Sequence, residues 1–281
     1  MCQFCVEHGD GKKWYLEASN YAYDLESDLR RRDYIVEFVS EFDTKRSTAI
    51  GGMELLARLP GPIERTGKKL VSKRMQPVHY GQPVPIEECS QIFDIATSIV
   101  SIPCVCRMWA TPNKPAEEVC MLVTTQPIEP LVEEGFRDYA NGPDTSNFTR
   151  LSKEEALALL RDCEQRGLMH SVWTFLTPFI GAICNCNSDS GCMAMRLTTG
   201  YSMPMMWRGE WVARLDAEKC SACGRCARTC PFEAITRGAK GTAPVLRQED
   251  CWGCGICRAT CPSEALSLVD RRSVPAVADL W

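Results

Sequence analysis

Two short stretches constrain this chain more than anything else in it: CSACGRCARTCP, beginning at Cys220, and CWGCGICRATCP, beginning at Cys251. Each reads C-x2-C-x2-C-x3-C-P. The copies align at a fixed offset with PFEAI and PSEAL behind them, so this is an internal repeat. Three cysteines at that spacing wrap one loop around a small body, turning their sulfurs and the loop amides inward. Gly224, Gly253 and Gly255 permit the tight backbone that such wrapping needs. The fourth cysteine stands before a proline, which is tolerated in the first turn of a short helix. Zinc knuckles of the C-x2-C…C-x2-C kind lack both the third cysteine and the C-P.

The repeat closely resembles the bacterial two-cluster ferredoxins over about Arg208 to Asp270. That resemblance implies two [4Fe-4S] clusters with crossed ligands, the fourth cysteine of each run serving the other cluster. Cluster I is then expected on Cys220, Cys223, Cys226 and Cys261, and cluster II on Cys251, Cys254, Cys257 and Cys230. WVARLD, AITR, APVLR and ALSLVD supply the expected flanking strands. Arg225, Arg228 and Arg258 lie within the cysteine loops and Lys219 beside one. They are read either as solvated loop charges or as cations that favour the reduced form of an anionic cluster.

The chain has 18 cysteines in 281 residues, which raises the reading of a secreted disulfide scaffold. The amino-terminal MCQFCVEHGDGKKWYLEAS has no apolar signal-peptide core, and the longest apolar runs are short or broken by Asp94 and Pro178. A cytoplasmic protein with no transmembrane segment and reduced thiols is expected, so the cysteines point to metal or redox chemistry. A net charge of −4 gives no footing for nucleic acid as a partner.

The long segment before the repeat reads as mainly helical. NYAYDLESDLRRRDYIVEFVSEF, STAIGGMELLARL and PIEECSQIFDIATSIVSI carry helical apolar spacing, the second stopped by Pro60-Gly61-Pro62. SKEEALALLRDCEQRG begins with a capping box at Ser152 and Glu155 and stops at Gly167. LMHSVWTF reads as a strand. Two C-x-C pairs follow these elements, each with a later cysteine: Cys104 and Cys106 with Cys120, and Cys184 and Cys186 with Cys192.

PC-x-CR, PAEEVCM, SKEEAL, GL-x-H and ICNC, all ahead of a dicluster repeat, resemble a family of anaerobe iron–sulfur proteins over about Pro83 to Asp270. The resemblance implies electron transfer to a larger flavin- or metal-containing oxidoreductase, as donor or acceptor. Relatives commonly carry further cysteines where this chain has ICNCN and ATPNKP, so ligands do not transfer one for one. For the six central cysteines a third iron–sulfur cluster is the preferred reading. A structural zinc and plain core packing are the alternatives. Cys2, Cys5 and His8 in MCQFCVEH have metal-like spacing without a local fourth ligand, so a metal role stands against a packed or disordered terminus. His79 and His170 read as structural, and Met193, Met195, Met203, Met205 and Met206 as filling around the central motif.

The expected architecture is therefore α+β. A mainly helical domain with an extra metal site spans residues 1–207, a dicluster ferredoxin domain 208–270 and a tail 271–281. The expected role is a non-catalytic electron-transfer component of an oxidoreductase complex. A reductase with an open metal site and a redox-sensing or structural iron–sulfur protein are the alternatives.

Overall fold

The computed structural model describes residues 13–22, 34, 37–38, 41–110, 117–127, 148–189 and 191–280. The expected long amino-terminal helix lies mostly outside them, as do Cys2, Cys5 and His8.

The centre of the molecule is a six-stranded antiparallel sheet, not a helical bundle. Its strands are β1 (Gly81–Pro83), β2 (Ser98–Pro103), β3 (Glu118–Thr124), β4 (Thr149–Arg150), β5 (Met169–Thr174) and β6 (Ile180–Cys186), in the order β1-β5-β6-β3-β2-β4. This corrects the mainly helical expectation, and the cause is local. The run after Pro85 is helical only over Ile86–Ile95. Beyond it Ile99, Val100 and Ile102, β-branched and stiff at χ1, sit better on a pleated surface. EVCMLVT and IGAICNC are strands too. Both faces of those strands are covered, so neither shows the polar alternation that marks a half-exposed strand.

Helices α1 (Phe42–Leu56), α2 (Gly61–Met75), α3 (Ile86–Ile95), α4 (Val105–Ala110) and α5 (Lys153–Gln165) surround the sheet. Helix α5 keeps every expected signal. Ser152 Oγ accepts from the Glu155 amide at 3.2 Å, and Glu155 answers by accepting from the Ser152 amide at 2.8 Å. Ala156, Leu160 and Cys163, one turn apart, are fully buried, and Leu160 alone is worth about 2 kcal/mol of transfer free energy. Gly167 ends the segment with φ of +75°.

The sheet separates two cores. On one side Met121, Val123, Val172 and Ile183 meet Cys89 and Ile92 of α3 and Leu160 of α5. On the other, Leu122, Trp173 and Ala182 meet Met203, Met205 and Met206, together with the cysteines described below.

The carboxy-terminal module pairs β7 (Trp211–Leu215) with β10 (Leu266–Asp270), and β8 (Ile235–Thr236) with β9 (Val245–Leu246). Two short helices, α6 (Arg225–Thr229) and α7 (Ile256–Ala259), follow the paired glycines Gly224 and Gly255, both left-handed. The module is fastened to the sheet by main chain as well as side chains. A Cβ on Gly209 would come within 2.8 Å of Pro83 O, and Gln82 Nε2 donates to the Arg208 carbonyl at 2.9 Å. Buried Glu88 of α3 accepts from Trp211 Nε1 at 2.8 Å and from Tyr15 OH at 2.5 Å, and pairs with Lys13. Among the described residues no helix is long and apolar enough to cross a membrane.

Candidate metal centres

The carboxy-terminal cysteines lie near one another, across the two repeats as well as within each. Cys226 lies in the electrostatic reach of Cys261, Cys220 and Cys223, and Cys254 in that of Cys230 and Cys251. The loops turn amides onto sulfur: Ala222 donates to Cys220 Sγ, Ala213 to Cys251 Sγ and Ala265 to Cys261 Sγ, each at 3.4 Å. Residues 213–268 match the family model of the 4Fe-4S dicluster domain. The chain thus carries an iron–sulfur, ferredoxin-type electron-transfer domain near its carboxy-terminus. A comparison with curated proteins finds no match.

Behind Cys251 lies a buried cation from the segment that follows the dicluster domain. Arg271 is fully buried and donates to Gly209 O, Trp211 O and Cys251 O. Its Nη1 is buried with no hydrogen-bond partner. Burial lowers its pKa to about 10, which still leaves it charged at neutral pH, and Cys251 is the largest influence opposing that fall. An anionic cluster on Cys251 is the counter-charge this buried cation calls for.

The two cysteine groups of the dicluster domain differ in burial. Cys251, Cys254 and Cys257 are buried, and Cys254 packs in the same core as Met205 and Met206. Cys223 is exposed, and Cys220 and Cys261 are half-buried. Cys254 and Cys257 are pushed far above the ordinary thiol range, chiefly by burial. Cys223 is drawn down, chiefly by the Arg225 amide.

The second C-x-C region was expected on loops after a strand; the structure puts Cys184 and Cys186 on β6 itself, and Cys120 on β3. The register Met121↔Ile183 and Leu122↔Ala182 sets one face of the β3–β6 pair. Ala182, Cys184 and Cys186 share that face by period-two alternation, as do Leu122 and Cys120. Strand β2 delivers Cys104 at its end, and α4 carries Cys106 in its first turn. Cys192 is the residue before the short helix Met193–Met195.

All six line a single cavity of about 110 Å³, with Phe38, His79, Trp173 and Phe175 on its apolar side. Their thiols interact in a continuous arc: Cys184 with Cys120, Cys120 with Cys104, Cys104 with Cys106, Cys106 with Cys192, Cys192 with Cys186. Cys104 is drawn well below the ordinary thiol range, chiefly by the neighbouring Cys106 and Cys120 thiols, with the Arg107 amide adding to them. Cys192 is drawn down in the same way by Cys106, Cys186 and the Met195 amide. Cys106, Cys120 and Cys186 are pushed up, first by their thiol neighbours and then by burial. Among the described residues, no three His, Cys, Asp or Glu side chains converge closely enough for a single bare ion, in this group or in the dicluster domain.

Arg107 stands behind the arc. It is nearly buried, donates to Asn185 O at 3.1 Å and pairs with Glu117 at 3.3 Å. Burial works against its charge, but Cys104, Cys186, Cys120 and Glu117 outweigh that and raise its pKa. The sequence reading missed this residue, although it directly follows Cys106. A cation adjoining a C-x-C pair was the available signal. The reading also missed His79 as a cavity wall: its ring stacks on Trp173 at 5.1 Å, Nδ1 lies 2.6 Å from Thr174 O, and burial lowers its pKa to about 4. His170 is structural as expected, its Nδ1 2.5 Å from Asn185 Oδ1. Cys89 and Cys163, both wholly buried, lie apart from the cavity.

Proposed function

We propose that this chain is an iron–sulfur electron-transfer subunit with three centres in line. Two [4Fe-4S] clusters would sit in the dicluster domain, one on Cys220, Cys223, Cys226 and Cys261, the other on Cys251, Cys254, Cys257 and Cys230. A third iron–sulfur centre would sit in the sheet domain, taking its ligands from Cys104, Cys106, Cys120, Cys184, Cys186 and Cys192. Such clusters supply one-electron chemistry when bound. The protein's part is to hold the thiolates, neutralise them with Arg107 and Arg271, and keep water from the inner two sites. The partner is a larger flavin- or metal-containing oxidoreductase.

The observation that carries this reading is the arc of six thiols around one cavity, beside a buried arginine and in the same core as Cys254. Soft thiolates beside a fixed cation suit an anionic iron–sulfur centre better than packing alone, which requires neither the cation nor the lowered thiols. The domain limits follow the same division: a sheet domain to about residue 207, the dicluster module over 208–270 and a tail beyond. Cys2, Cys5 and His8 are retained as candidate ligands from the amino-terminus.

The test is anaerobic purification with iron, sulfide and zinc measured per chain and EPR of the reduced protein. About twelve iron atoms supports three cubane-sized centres, and about eight limits iron to the dicluster domain. In Cys184→Ala the total metal should fall while the dicluster EPR signal survives. Unchanged iron, zinc and spectra would remove the central centre from the proposal.

A further inference from the structure

The first repeat presents a cationic face to solvent. Arg225 and Arg228, both exposed on α6, line a groove with Gln165 from the end of α5, Thr260 and Cys261. A third exposed cation, Arg237, lies against the same loop, its Nε 3.1 Å from where a Cβ on Gly224 would be. None of the three makes an ion pair among the described residues. Beside this groove lies exposed Cys223, with the half-buried sulfurs of Cys220 and Cys261.

The carboxylates around this loop do not cancel the patch. Asp216 is matched by Lys219 at 3.6 Å, and Glu264 shares a recess with Arg214 and Lys219. Glu218, exposed beside Cys220, and Glu233, exposed after Cys230 and within reach of Arg247, stand against three guanidinium groups with no ion pair among the described residues. The chain as a whole carries −4, so this face runs against the overall charge. The second repeat has no such face. The position matching Arg225 is Ile256, which is 1% exposed, and Arg258 is held by Glu87 at 2.7 Å.

We infer that the groove over Arg225 and Arg228 is the docking site of a small acidic electron-carrier protein, whose own redox group lies under a carboxylate-rich face. Charge complementarity orients the carrier with that face over Cys223 and Cys261, and raises the rate of encounter more than the final affinity. One electron passes between the carrier and the cluster held by Cys220, Cys223, Cys226 and Cys261. The one that loses it is oxidised, the other is reduced, and no bond or proton moves. This inference rests on the electron-transfer reading above.

The experiment uses the anaerobically purified holoprotein and a flavodoxin, a small acidic flavin carrier, as probe. Electron exchange is followed by stopped flow in the downhill direction as ionic strength rises. The second-order rate should fall about tenfold or more between low and high salt, and R225E/R228E should lose about as much at low salt. R225Q/R228Q, a milder change, should fall between the two. Iron content, EPR and reduction by dithionite, a small reductant that needs no protein docking, should match the parent in both variants. A rate that is flat or rises with salt, an unchanged rate in R225Q/R228Q, or no exchange at all overturns the docking site. Failure of dithionite to reduce the parent would instead sink the electron-transfer reading itself.

Discussion

The two cysteine repeats have the same ligand spacing and opposite surroundings. Ala222 and Gly253 occupy the same place in the two loops, both with positive φ, +52° and +76°. Ala222 is half-buried. A Cβ on Gly253 would stand 2.1 Å from Trp211 O, because this loop is pressed onto β7. Ser221 faces outward where Trp252 stacks on Phe232 at 4.8 Å, and Arg225 is solvated where Ile256 is buried. The motif fixes what can be held; the residues between the cysteines decide which side touches the sheet domain and which touches solvent.

The contrast can be broken most severely at Arg271. No arginine serves Cys220, among the described residues, as Arg271 serves Cys251. Replacing it by methionine removes its hydrogen bonds to the Gly209, Trp211 and Cys251 carbonyls, and stability should fall by roughly 3 kcal/mol. Denaturant unfolding of the holoprotein measures this, and a loss under about 1 kcal/mol would show the pinning to be incidental. Next comes the glycine pair. Gly253→Ala should cost about 2 kcal/mol through a main-chain clash and left-handed strain, whereas Ala222→Gly should change stability by less than about 1 kcal/mol. Equal effects would mean that the two loops are equally constrained.

The smallest effect belongs to the ion pair between α7 and α3. Burial disfavours ionised Glu87, but the hydrogen bond and charge of Arg258 win and hold its carboxyl below the ordinary value. Its contribution is therefore present above the unfolded-state carboxylate pKa and is lost as pH falls through the lowered folded value. Because Glu87 is 56% exposed, solvent screening limits this to about 0.5 kcal/mol. Arg258→Ala should abolish that part of the acid dependence and leave the neutral-pH spectra unchanged. An Arg258→Ala protein with the parent's acid unfolding curve would remove the pair from the domain contact.

The dicluster domain was legible because its information is local: each loop's three cysteines are fixed by their spacing along a short run of chain. The central cysteines were visible as two C-x-C pairs, but their gathering was not. It depends on which face of β6 carries Cys184 and on the register that lays β3 beside it, pairings between residues far apart in sequence. The strand at Ser98–Pro103 was read as helix because a fully buried strand has no alternation to betray it. Helix α2 was missed because Pro60-Gly61-Pro62 was taken only as a stop, when Pro62 also suits the first turn of the next helix.

The contact of Gly209 with the carbonyl of Pro83 has a consequence for how the molecule keeps company. A ferredoxin that wanders must meet each of its two correspondents by diffusion, so dilution slows both halves of its work. Here the module is bolted to the sheet domain through backbone too close for any side chain to intervene. If the sheet domain holds the proposed third centre, exchange with it is intramolecular and indifferent to concentration, which leaves the solvent-facing loop for encounter with a carrier.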